Sequence, residues 1–498
     1  MERGGRRRAE KTIIRRRVRL PLRACWRGGA VGNFAYIQQV AIRVKFRHSN
    51  LAVCIILFTE SLFLFKKICI GLLILLGLVL AAAGAAYAYY WRPALAPIDP
   101  PPPASFSART IEQGRILAGM GNCAACHTVK GGAPYAGGRG LATPFGTIYA
   151  TNLTPDPQTG IGRWSLPAFG RAMREGVGRH GEHLFPVFPY THFSHVSDAD
   201  LAALYAYLMT RPPVHAMAPA NTVPFPLNQR ALQAGWKLLF FRPAAFQRNA
   251  AQGADWHRGR YLAEGLAHCA ACHTPRNALG AEVAGSPYMG AAIDHWYAPP
   301  LTAANTAPLP WTRDELYAFL RTGATALHGV AAGPMSEVVH EGMEASPDAD
   351  IRALAAYFAS VAANPNAAEP PVDSASVIKA GIDRSQKVGM VDNDRGASLY
   401  VAACASCHSN SDGKPSVLRP ELSLNSAVSA PDPANLIQVI LHGVGRDEGL
   451  RDALMPGFAQ SLSDADIAQL AAYLRRSRSH QPAWTNMEAT AARLRAGK

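Results

Sequence analysis

The order Cys-x-x-Cys-His occurs three times in the chain, each time inside the same longer succession of elements. That repetition restricts the fold more than any other feature. The motifs are Cys123-Cys126-His127, Cys269-Cys272-His273 and Cys404-Cys407-His408. Each follows a short helical pattern: "QGRILAGM" at 113–120, "RGRYLAEG" at 258–265 and "RGASLYVA" at 395–402. Each is closed, well downstream, by a nearly identical amphipathic segment: "VSDADLAALYAYL" at 196–208, "SPDADIRALAAYF" at 346–358 and "LSDADIAQLAAYL" at 462–474. Ser197 and Ser463 have the character of helix N-caps, with an acidic residue three positions on. Leu201, Leu204, Tyr205 and Leu208 fall on one face at helical spacing, as do Ile467, Leu470, Ala471 and Leu474; such stripes are read as core. Between motif and closing helix, "GRWSLPAFGRAMREG" (162–176) parallels "LPWTRDELYAFLRTG" (309–323) and, more loosely, "DPANLIQVILHGVG" (432–445). The expected architecture is all-α, with three small helical domains on one thread.

Two cysteines three apart on a helical turn present both sulfurs to one side, where each can form a thioether with a vinyl group of haem. The adjacent histidine then reaches the iron from the proximal side. Zinc and dithiol redox chemistry also use CxxC. A zinc ribbon, however, pairs one CxxC with another nearby, and these motifs start 146 and 135 residues apart. A thioredoxin-like dithiol calls for a βαβ setting, and these units are helical. Three covalent haem c groups are therefore expected on Cys123/Cys126, Cys269/Cys272 and Cys404/Cys407, with His127, His273 and His408 as iron ligands.

The sixth iron ligand is sought in the loop before each closing helix. "AAGPMSEVV" places Met335 62 residues past His273, and "ALMPGF" places Met455 47 residues past His408. A lone methionine is usually core filler. Position in a matched repeat distinguishes these two from Met209, Met343 and Met390, which stay with that plainer reading. In the first unit the matching offset of 61 residues falls on Phe188, in "LFPVFPYTHF", and a phenyl ring has no lone pair for iron. Four histidines crowd nearby: His180, His183, His192 and His195. His192 is the expected ligand, because neutral imidazole binds iron well. The other three histidines, Met173 and an open five-coordinate iron remain alternatives.

The net charge of +15 suggests a nucleic-acid partner until it is mapped. Residues 1–67 hold 16 Lys/Arg against three Glu, which leaves the remaining 431 residues near +2. No basic patch for phosphates remains on the folded part, so nucleic-acid binding is excluded. Cys25, Cys54 and Cys69 lie in this basic and apolar N-terminal region and are read as ordinary thiols. From 68 to 91 runs "ICIGLLILLGLVLAAAGAAYAYYW", uncharged and long enough to span a bilayer. Lys66 and Lys67 before it, and the tyrosines and Trp91 that end it, keep the N-terminus in the cytoplasm and export the chain beyond Trp91. The small-residue run leaves a cleaved signal as the alternative to an anchor. Pro-rich "RPALAPIDPPPPAS" reads as a stiff spacer.

On "CAACHT", "GGRGLATPFGTIYATNLTPDPQTGIGRWS", the PY loop, "AGPMSEVV" and "LMPGF", the chain resembles the multihaem cytochrome c subunit of membrane-bound bacterial dehydrogenases. The resemblance covers about residues 70–480. It implies three tandem class I cytochrome c domains after an N-terminal transmembrane helix. The expected division is a basic tail (1–67), anchor or signal (68–91), spacer (92–106), domain 1 (107–211), connector (212–250), domain 2 (251–363), linker (364–388), domain 3 (389–480) and tail (481–498). The connector is expected to be apolar enough to pack. In the alcohol and gluconate branch the first loop typically carries Met where Phe188 stands, and "YTHF" is similar to the branch accompanying molybdenum hydroxylases. The resemblance implies electron transfer from a partner dehydrogenase to ubiquinone or a terminal oxidase, on the periplasmic side of a bacterial inner membrane. The favoured partner is a molybdopterin/2Fe–2S subunit, with a quinoprotein or flavoprotein as the alternative. Competing readings are a cytochrome subunit of a terminal oxidase or bc-type complex, and a peroxidase-like enzyme with an open first haem and His180 or His183 as distal base.

Overall fold

The structure, a computed structural model, describes residues 47–243, 246–363, 372–386, 394–410, 413–445 and 455–497. Cys25 and Met390 lie outside the described residues. The chain divides into two units, 1–85 and 86–498. The first is dominated by the helix Arg47–Tyr90, whose Phe65–Tyr90 stretch is long and apolar enough to cross a membrane. Its Leu72, Leu75 and Leu80 are exposed. The helix starts well ahead of the apolar run, so residues 47–67, expected as tail, are helical.

The second unit is mostly helical, and each CxxCH stands between an opening and a closing helix. These pairs are Ala108–Met120 with Asp198–Met209, Ala254–Glu264 with Asp348–Ala362, and Arg395–Ala403 with Asp464–Arg478. The expected caps are present. Ser197 accepts from the Asp200 amide, and Ser463 forms a capping box with Asp466. The apolar stripes predicted on the first and third closing helices are buried throughout.

The two helices of each pair cross at a glycine. A methyl group on Gly114 would overlap the Ala203 carbonyl, one on Gly259 the Ala353 carbonyl, and one on Gly396 the Gln469 carbonyl. The same methyl would press on the Cβ of Tyr207, Tyr357 or Tyr473 respectively. Glycine is needed at these three sites because the backbones touch, not because of any special φ.

Among the described residues, four small two-stranded antiparallel sheets interrupt the all-α expectation. Two of them matter to the site: Gly140–Thr143 with Gly146–Tyr149, and Ala291–Ile293 with Trp296–Ala298. Other departures concern segments expected to be linker or tail. Ser374–Gln386 is helical, and Met487–Arg495 is a helix whose Met487, Ala491 and Leu494 are buried against the third closing helix region. Arg495 fixes it by bonding Asp464 at 2.7 Å.

The first two repeats share one hydrophobic core, from Leu117 to Phe358, while the third has its own. The first two also meet through equivalent positions. Gly119 lies against Gly342, and Gly265 against His195; the two glycines each stand eight residues before their CxxCH histidine, and His195 and Gly342 stand 68 and 69 residues after theirs. The third repeat joins the second through a small apolar cluster, Ala324 and Val330 with Val439, Val444 and Met455, and through polar bonds. Asn435 accepts from the Tyr297 amide and donates to its carbonyl, both at 2.8 Å, and Thr306 donates to the Ser429 carbonyl at 2.9 Å.

Candidate functional site

Each CxxCH forms a single helical turn: Cys123–His127, Ala270–His273 and Ala405–His408. In the first two repeats the residue before the first cysteine, Asn122 or His268, is left-handed (φ 49° and 38°), which turns the chain from the opening helix into the motif. The loop after the motif folds back on its histidine. The Gly137 amide donates to the His127 carbonyl and the Gly290 amide to that of His273, both at 2.8 Å. The chain then enters the hairpin, and the residues just beyond it supply the decisive contact. His127 Nδ1 donates to the Thr151 carbonyl at 2.6 Å, and His273 Nδ1 to the Pro299 carbonyl at 2.7 Å.

That bond fixes the tautomer. With the proton on Nδ1, Nε2 keeps its lone pair, as a metal-binding histidine requires. Burial lowers the pKa of His127, His273 and His408, favouring the neutral ring. His408 faces the Pro420 carbonyl, too loosely for a formed hydrogen bond. Among the described residues no disulfide joins the motif cysteines. Burial pushes Cys123 and Cys269 up to about 12, and Cys404 to about 11. Among the described residues no group of three or more His, Cys, Asp or Glu is arranged to hold a metal ion. Two sulfurs on one turn with a histidine presenting only Nε2 fit haem c.

Met335 is half-buried on the short turn Pro334–Ser336, entered through Gly333 (φ 55°), where Trp296 packs so closely that a Cβ would collide with it. Met455 is half-buried on a two-residue strand paired with Gly443–Val444. Met173, Met209 and Met343 are buried among core side chains. Phe188 packs against Phe193 with ring centroids 5.4 Å apart.

His192 is buried, and both its ring nitrogens are engaged. Nε2 donates to Glu282 at 2.8 Å, and Nδ1 bonds the Glu264 carbonyl at 3.1 Å. Both partners are oxygen acceptors in the second repeat. The sequence offers His192 as a neutral imidazole and carries no sign of partners 72 and 90 residues away. His183 is also tied at both nitrogens, to the Tyr90 carbonyl at 2.9 Å and Lys237 Nζ at 3.1 Å. His180 is exposed and bonds Arg179.

Two arginines join the motifs to their neighbours. Arg139 donates to the Ala125 carbonyl inside the first CxxC and pairs with Glu337 of the second repeat at 3.1 Å. Arg276 donates to Ala271, the same position of the second motif, at 2.7 Å, and lies 3.9 Å from Glu282. Burial would raise the pKa of Glu282. The hydrogen bond from His192, with the charges of His192, Arg276 and His268, instead holds it below the ordinary value of 4.5. A carboxylate depressed on folding adds stability at neutral pH and loses it as pH falls through the folded value. Thermal denaturation is therefore expected to show an acid-induced loss of stability below about pH 4.5 that is smaller in Glu282→Gln.

The residues around two of the motifs match known families. A cytochrome c family model matches residues 111–212, and one described as cytochrome c oxidase, cbb3-type, subunit III, matches 391–474. The fructose dehydrogenase cytochrome subunit of Gluconobacter japonicus is 39% identical over 75% of this chain and 80% of its own length. The chain belongs to the family of dehydrogenase cytochrome c subunits. Another member, the gluconate 2-dehydrogenase cytochrome c subunit of Pantoea cypripedii, is 38% identical over 74% of this chain and 85% of its own. A nicotinate dehydrogenase subunit of Pseudomonas putida is 47% identical over 82% of this chain, which spans only 33% of that relative's length. As in the rest of the family, the chemistry here is electron transfer by covalently bound haem c.

Proposed function

We propose that the chain carries three covalent haem c groups, one on each CxxCH, in three cytochrome c domains bounded near 107–211, 251–363 and 389–480. Electrons enter from a partner dehydrogenase and leave to ubiquinone or a terminal oxidase. A molybdopterin/2Fe–2S partner is favoured, in keeping with the likeness to a nicotinate dehydrogenase subunit. The helix Phe65–Tyr90 serves as the single anchor, with the haem domains on the periplasmic side of a bacterial inner membrane. The observation that carries the reading is the repeated pair of sulfurs beside a histidine whose Nδ1 is held by a backbone carbonyl.

When bound, haem c supplies a one-electron iron couple. The chain's own residues anchor it through the six cysteines and orient His127 and His273 through the Thr151 and Pro299 carbonyls. Met335 and Met455 are proposed as distal ligands of the second and third haems. A Met/His pair raises a potential relative to bis-His. Met455→His is expected to lower one midpoint by on the order of a tenth of a volt or more, within the roughly 0.8 V that axial ligands span, as read by redox titration.

For the first haem the sequence proposes His192, which must release Glu282 or Glu264 to serve. If it ligates, the first haem has the lowest potential. The engagement of both its nitrogens favours a second role for the same ring, a clamp between the first two repeats. His192→Ala separates them. A ligand role changes the low-spin spectrum of one haem, whereas a clamp role leaves every haem spectrum unchanged and lowers stability by about 1–3 kcal/mol. The oxidase-subunit reading draws on the family model matched at 391–474. The peroxidase-like reading loses its foothold at His183, whose ring is bonded at both nitrogens.

A further inference from the structure

The helix Arg230–Phe240, in the connector, is built inside out. It buries Gln233, Ala234 and Lys237, and it exposes Leu232 (45%), Leu238 (56%) and Leu239 (62%). At 100° per residue these leucines, with the exposed Ala231 and Gly235, occupy one continuous face opposite the buried polar pair. The inversion is enforced by bonding. Lys237 Nζ donates to the carbonyls of Glu175 and Gly176, both at 2.6 Å, where the helix Leu166–Glu175 ends, and to His183 Nδ1 at 3.1 Å. Three acceptors around one ammonium leave no freedom to turn the leucines inward.

The same bonds place this helix beside the end of the apolar helix. His183 Nε2 donates to the carbonyl of Tyr90, the last residue of that helix, and stacks on its ring at 5.5 Å. Exposed Tyr87, Tyr89 and Trp91 surround that end, the side chains that settle at a membrane–water boundary. The connector's charge points the same way. Between Asp200 and Asp255 the chain has no acidic residue, and the connector carries Arg230, Arg242 and Arg248 besides the buried Lys237, with Arg242 and Arg248 exposed. An apolar face with aromatic flanks and only basic charges is the pattern of a helix lying in the interface of an anionic bilayer.

We propose that Arg230–Phe240 is a second membrane contact, with Leu232, Leu238 and Leu239 in the acyl boundary and the exposed Arg242 and Arg248 that follow it at anionic headgroups. It would hold the first repeat against the lipid surface where the anchor emerges. This inference rests on the reading of Phe65–Tyr90 as an anchor, and the test keeps the two apart.

The full-length haem-loaded protein, reconstituted in vesicles of phosphatidylethanolamine and phosphatidylglycerol, carries a photoreactive phenylalanine analogue at Leu75, Leu239 or Leu418, one at a time. All three positions are exposed, so the substitutions leave the core intact. Lipid adducts at Leu239 are expected at a yield comparable to Leu75 and about tenfold above Leu418. Lipid adducts at Leu75 without them at Leu239 would overturn the proposal and leave the anchor standing. No lipid adduct at Leu75 would remove the anchor reading and the proposal with it. Protein adducts at Leu239, to a second copy or to a partner subunit, would overturn the proposal in favour of a protein interface.

Discussion

Replacing Cys404 and Cys407 with serine is expected to remove one third of the covalent haem and leave the first two repeats folded. The same change at Cys269 and Cys272 is expected to remove more than its own share. The difference follows from the cores. The third repeat packs Tyr400, Ile437, Ile467 and Leu474 among themselves and meets the second through hydrogen bonds and only a small apolar cluster around Ala324 and Val444. Losing its haem therefore loosens one core. The first and second repeats pack Leu117, Leu204, Leu262 and Leu354 in one continuous cluster, and the Arg139–Glu337 and His192–Glu282 contacts run between them. Disturbance at the second motif passes into the first. Haem per polypeptide, measured with thermal denaturation, tests this. About two thirds of the haem retained in the Cys404/Cys407 variant and clearly less in the Cys269/Cys272 variant is the expected pair of results, given that tightly packed interiors transmit strain. Equal losses would mean that the two repeats do not depend on each other.

The second large effect concerns Gly259. In an exposed helix interior, glycine to alanine stabilises by roughly 0.5–1 kcal/mol because the unfolded chain loses freedom. At Gly259 the added methyl would overlap the Ala353 carbonyl and press on Tyr357. Neither is the movable end of a long side chain, so the two helices must separate. Overpacking of this kind costs about 1–3 kcal/mol, and Gly259→Ala is expected to lose that much in denaturant unfolding. Gly235→Ala is the matched control, since a methyl there meets nothing within 4 Å; it should be neutral or slightly stabilising. Gly114 and Gly396 stand in the same place in their repeats and should behave as Gly259 does.

What the sequence made legible was local or periodic. The caps at Ser197 and Ser463, the buried stripes after them and the three helical turns bearing cysteine and histidine all lie within a few residues of their signals. What it hid depends on distant partners. Thr151 and Pro299, whose carbonyls set the histidine tautomers, carry no mark of that role, because a backbone carbonyl looks alike in every residue. The merged core of the first two repeats is invisible when each is read alone. His192 looked like a ligand by position, and its two acceptors come from another repeat. The connector was expected to pack on its apolar residues. It packs through Val223, Ala234, Trp236 and Phe241, while two helix-terminal carbonyls and His183 draw the Lys237 ammonium inward and leave Leu232, Leu238 and Leu239 outside. The helices Ser374–Gln386 and Met487–Arg495 were read as linker and tail because they fall outside the repeated pattern.

The central claim, that all three CxxCH motifs carry haem, is tested most directly by proteolysis and mass spectrometry of the protein matured with a cytochrome c assembly system. The account predicts three haem-bearing peptides, one containing Cys123 and Cys126, one Cys269 and Cys272, and one Cys404 and Cys407. Recovery of any of these peptides from that protein with both cysteines unmodified would contradict it.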